Sequence, residues 1–134
     1  MDDQHLRALL PKDKHDLESA KALTVLGYPE VAPVLSELLE WMQDGNWPVS
    51  HVLSPFLASI GKPLAEQVRQ VFHTQDHIWK YWVLRRIVAQ SSELATALHF
   101  DLVKITEEES DPLDEDAREV KEAAKEILDE IQFP

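Results

Sequence analysis

His73 and His77 stand four positions apart, the spacing at which two imidazoles on one helix can share a metal ion. The intervening Thr74-Gln75-Asp76 reads as a break between helices, so the pair is not expected to share a face. No metal site, cofactor or catalytic residue is expected. The other histidines, His5, His15, His51 and His99, are scattered. Carboxylates recur more regularly: Asp13, Asp44 and Asp76 fall at intervals of 31 and 32 residues, each at the expected start of a helix. Side-chain oxygens there accept hydrogen bonds from unpaired backbone N–H groups, which accounts for these residues without invoking function. If the segments carrying them stack, the three also line one edge and form a polar ridge with Lys12, Lys14 and Lys80. Nothing in the spacing sets up a carboxylate pair for general acid–base work.

Trp47, Trp79 and Trp82 cluster at the starts of two neighbouring helices. Tryptophan is favoured at recognition hot spots. Core packing is the competing explanation, since burying about 200 Å² of indole stabilises a fold by at most about 5 kcal/mol. Trp79 and Trp82 suit the core, whereas Trp47 lies in a turn and suits either role. Lys80, Arg85 and Arg86 form the one basic island, on an otherwise apolar helix. Trp79, Trp82, Asp76 and Arg85 are the residue types a DNA-binding base-excision enzyme would use. The electrostatics oppose that reading: 13 Lys and Arg face 25 Asp and Glu, for a net charge of −12. Gripping several phosphates takes a broad basic stripe. Arg85 and Arg86 fit better as partners of acids on adjacent helices. Three isolated glycines cannot cradle a phosphate, and there is neither a Gly-x-Ser-x-Gly elbow nor a cysteine.

The elements that must position these groups are helices. Apolar residues make up 44% and charged residues 28% of 134 positions, a globular composition for one domain spanning 1–134. The acidic start at Asp2-Asp3 and the early Pro11 predict no secretory signal, and no apolar run could cross a bilayer. With no cysteine, a cytoplasmic location is expected. Val31, Val34, Leu35, Leu38, Leu39 and Met42 follow helical periodicity, with Pro33 tolerable only in a first turn. Gly27 suits the end of a preceding helix over 16–26. A helix over 76–90 is apolar around most of its circumference.

The punctuation repeats. Leu26-Gly27-Tyr28-Pro29 is echoed 34 residues on by Ile60-Gly61-Lys62-Pro63, and Asp44-Gly45-Asn46-Trp47 is echoed 32 residues on by Asp76-His77-Ile78-Trp79. Such a period predicts an all-α protein of seven or eight helices, built as stacked antiparallel hairpins at about 13–43, 46–73 and 76–106. A capping helix over about 112–131 follows, with Asp111 as its cap, Pro112 at its first position and Leu113 on its core face. An irregular helical bundle is the alternative.

The segments Leu38-Leu39-Glu40-Trp41, Asp44-Gly45-Asn46-Trp47-Pro48, Pro11-Lys12-Asp13-Lys14-His15-Asp16 and Asp76-His77-Ile78-Trp79-Lys80-Tyr81-Trp82 resemble a bacterial family. Its members are small helical proteins, filed as a domain of unknown function and similar to short HEAT-type repeats. The resemblance covers about residues 8–106. It implies a helical-repeat fold and brings no activity to carry over.

The expected function is a non-catalytic scaffold for a protein or peptide, one that the acidic surface would favour to be basic. An immunity-type or adaptor role fits by analogy. The expected contact residues are Asp13, His15, Asp44, Asn46, Trp47, Trp79, Lys80 and Arg85. A base-excision enzyme and a structural homo-oligomer are the alternatives.

Overall fold

The computed structural model describes residues 2–132, and among them there is no strand. Residue 1 and residues 133–134 of the expected domain lie outside the described residues. Among the described residues nine α-helices follow one another, one or two more than expected: α1 (Asp3–Ala8), α2 (Leu17–Leu26), α3 (Leu35–Glu40), α4 (Pro48–Ile60), α5 (Ala65–Phe72), α6 (His77–Arg86), α7 (Ser92–Ala97), α8 (His99–Glu107) and α9 (Glu115–Gln132). Three 3-10 turns join them, at Ala32–Val34, Lys62–Leu64 and Val88–Gln90. Helix α1 lies ahead of the first expected hairpin. Asp2 caps it by accepting from the His5 N–H, and its Leu6 is buried in the common core.

The repeated glycines have one structural job. Gly27 closes α2 and Gly61 closes α4, with φ of 78° and 75°, a region that side-chain-bearing residues seldom adopt. The prolines align differently from the sequence echo. Pro63 lies in the 3-10 turn that leads into α5, and its counterpart ahead of α3 is Pro33, not Pro29. The first linker therefore carries extra residues between its glycine and its 3-10 turn. Pro33 needs no donor at that position, and the whole stripe from Val31 to Met42 is buried behind it.

Two expected helices are shorter than the periodicity suggested. The one expected over 76–90 ends at Arg86, because the chain turns through Val88–Gln90 to begin α7, where the Ser91 hydroxyl accepts from the Leu94 N–H. The last helix begins at Glu115 rather than 112. Asp111 accepts from the Leu113 N–H in a turn, and Asp114 takes over as cap by accepting from the Ala117 N–H. Leu113 is left 88% exposed instead of joining the core.

Packing follows an alternating order. Helix α2 lies against α4 and α4 against α6, while α3 lies against α5, and the Lys62–Leu64 turn lies against α7. Helix α9 covers α6, α7 and α8. One continuous apolar core runs from Leu6 to Leu128. No helix among the described residues is long and apolar enough to cross a membrane.

Candidate functional site

The loops before α2 and α4 meet at one edge of the molecule. The Val49 N–H at the start of α4 donates to the Lys14 carbonyl at 3.1 Å, fixing one loop on the other. Within each loop an aspartate shapes the backbone. Asp13 accepts from the His15 N–H at 2.9 Å, and Asp44 accepts from the Asn46 N–H at 2.8 Å. Both are turn-forming interactions, in which a short carboxylate bonds the backbone two residues on. Asp76 is a true helix cap, accepting from the Trp79 N–H at 3.0 Å. The regular spacing of Asp13, Asp44 and Asp76 thus reflects local backbone chemistry. His15 and Asn46 are exposed beside their aspartates.

Trp47 is half-buried, with its ring edge-on to that of Trp41 at 5.7 Å between centroids and 71° between planes. The loop that presents it is held from beneath, since the buried Ser50 hydroxyl is shared between the carbonyl oxygens of Trp41 and Asp44. The two indoles line a shallow groove of about 370 Å³ together with Leu10, Pro11, Glu37 and Glu40. Arg7 hydrogen-bonds Glu37 at 2.5 Å and holds its carboxyl below the usual carboxylate range. Glu40 is exposed and makes no ion pair among the described residues. Nearby, the N–H groups of Lys12 and Ser19 hold the Asp16 carboxyl low. This edge can take up a cation between aromatic rings and carboxylates.

Three expected contact residues are committed elsewhere. Trp79 donates from Nε1 to the Leu39 carbonyl at 2.8 Å and ties α6 to the end of α3. Arg85 pairs with Glu126 of α9 and stacks over Tyr81, with its guanidinium 5.6 Å from the ring centre. Lys80 is only 6% exposed and belongs to no surface ridge, because α9 packs over its side of α6. Arg86 stacks over Trp82 at 5.0 Å. His73 ends α5 whereas His77 opens α6, so the two occupy separate helices. Both nevertheless line a second cleft, of about 570 Å³, between the α5–α6 turn and the α8–α9 connector. The sequence reading did not find that cleft, since it depends on where α9 docks.

The model of one family, described as a domain of unknown function (DUF5071), matches residues 9–128. The chain belongs to this family. A comparison with curated proteins found no match. Membership in DUF5071 therefore supports the resemblance of the Trp-bearing segments and leaves the work of the Trp41–Trp47 edge to be argued from its chemistry.

Proposed function

We propose that the protein is a cytoplasmic, non-catalytic scaffold that binds a basic segment of a partner protein along its Trp41–Trp47 edge. The observation that carries this reading is the half-buried indole pair beside Glu40, a carboxylate with no partner among the described residues. An aromatic face attracts a Lys or Arg head group, and a nearby carboxylate strengthens the attraction. The net charge of −12 steers such a partner inward. Asp13, His15, Asp44 and Asn46, on the two loops joined by the bond from the Val49 N–H to the Lys14 carbonyl, are the further contact residues of this reading.

The scaffold itself fits stacked hairpins of the short HEAT type. The alternation of α2, α4 and α6 in one row, with α3, α5 and the α7 region in another, is the packing such repeats use, and α9 closes the open end. An adaptor or immunity-type protein is the kind of molecule this arrangement serves.

Calorimetric titration with a short Lys/Arg-rich peptide tests the proposal, with an acidic peptide of equal length as control. Binding of the basic peptide alone, weakened by salt and at least about tenfold by Trp47→Ala, is expected. Glu40→Lys should weaken it as well. Equal binding in both variants, or none at low salt, overturns the assignment.

A further inference from the structure

The cleft floored by α6 presents a pattern of charge that nothing in the fold requires. The Lys80 side chain is more than nine-tenths buried and lines the cleft; its ammonium still meets solvent, with no carboxylate within 4.0 Å and no hydrogen-bond acceptor among the described residues. One helical turn earlier, His77 lines the same cleft, and its Nδ1 is buried without a partner among the described residues. Its Nε2 lies 3.9 Å from Asp114. The acids that could have neutralised Lys80 are placed differently. Asp114 is occupied in capping α9, and Asp111 in its turn. Glu108 and Glu109 also line the cleft, as exposed residues of its rim. Lys80 thus lies in the buried part of the lining, half-buried Lys121 is a second cation of the cleft, and Glu108 and Glu109 stand on its exposed rim.

An ammonium on a buried stem that meets solvent without a counter-charge is open to the anionic group of a ligand. The volume of about 570 Å³ falls within the range of small-molecule sites.

We propose that this cleft binds a small zwitterion of the amino-acid class, its carboxylate turned inward to Lys80 and its cationic end held at the mouth by Glu108 and Glu109. The carboxylate supplies the charge-assisted bond that Lys80 lacks, and His77 adds a ring nitrogen without a partner among the described residues. The polarity selects against simple anions, which meet the acidic rim, and against simple amines, which meet Lys80. This site is separate from the Trp41–Trp47 groove and does not depend on it.

The test is titration of the full chain, followed by calorimetry and by amide NMR shifts, with three probes. These are L-arginine, agmatine (the same cation without its carboxylate) and acetate. Arginine should bind at least about tenfold more tightly than either control. Lys80→Met should abolish its binding, with Lys80→Gln as a second variant should methionine perturb the fold. Paired Glu108→Gln and Glu109→Gln substitutions should weaken arginine about tenfold without weakening acetate. Trp47→Ala should change nothing, which separates this site from the peptide groove. Absence of arginine binding at millimolar concentration overturns the proposal. So does agmatine binding as tightly, or affinity unchanged in both Lys80 variants.

Discussion

The indole of Trp82 fills the space that a side chain on Gly45 would need. A Cβ built on Gly45 would collide with the six-membered ring, not with a flexible chain end that could swing aside. Trp82 is held in turn from its other neighbours, edge-on to Tyr81 at 5.4 Å and under the Arg86 guanidinium. The contact locks the loop before α4 onto α6, which fixes where Asp44, Asn46 and Trp47 are presented. Gly45→Ala should therefore destabilise the protein by about 1–3 kcal/mol, the usual cost of overpacking. Urea melts check this. Combined with Trp82→Leu, the loss should fall short of the sum of the two single changes.

The two tryptophans of the repeated turns should respond differently to loss of the indole nitrogen. Trp79 Nε1 bonds the Leu39 carbonyl across two helices, whereas no hydrogen bond involves Trp47 Nε1 among the described residues. Trp79→Phe keeps most of the packing but removes this bond between helices, for a cost of about 0.5–1.5 kcal/mol, since the Leu39 carbonyl still accepts from the Met42 N–H at 2.9 Å. Trp47→Phe should cost well under that. Thermal melts of the two variants side by side decide it.

These residues also show what could be read from the chain alone. Gly27 and Gly61 announced helix ends because only a residue without Cβ is comfortable at their φ, and that constraint is local. The stripe from Val31 to Met42 announced its buried face through periodicity. Asp13 and Asp44 looked like helix caps, and the same short carboxylate serves a turn two residues long equally well. Lys80 was misplaced because a lysine is ordinarily exposed, and only the docking of α9 over α6 buries it. Leu113 was misplaced because apolar spacing does not say that Asp114, rather than Asp111, starts the helix. The zwitterion cleft depends on contacts between residues more than thirty positions apart, which no local pattern encodes.

Arg85 anchors α9 through Glu126 and does not await a partner. The pair holds the guanidinium's proton more firmly and keeps the Glu126 carboxyl below its ordinary range. Arg85→Glu places two like charges together and should lower the melting temperature. Adding Glu126→Arg should restore part of the loss, because the pair is re-formed in reverse. Peptide binding at the Trp41–Trp47 edge should be unaffected in both, as calorimetry can show. Weakened binding in the restored double variant would put Arg85 back among the contact residues.

Acid should unfold the protein through its depressed carboxylates. Glu37 is held low by the Arg7 hydrogen bond, and Asp16 by the N–H groups of Lys12 and Ser19. A carboxyl whose pKa is lower when folded than when unfolded releases its proton more readily in the folded state. Its contribution is complete above the unfolded value, about 4, and disappears as pH falls through the folded one. The self-repulsion of a chain carrying −12 acts oppositely, easing as the first carboxylates gain protons. Stability should thus hold or rise slightly from pH 7 to 5 and fall steeply below about 4. Arg7→Gln lets the Glu37 pKa return towards its ordinary value. The variant should be less stable than the parent at neutral pH, and the gap should narrow as pH drops below about 4. Urea midpoints across that range, measured for both proteins, give the comparison; a gap constant with pH would mean that Arg7 acts by packing and not through the Glu37 charge.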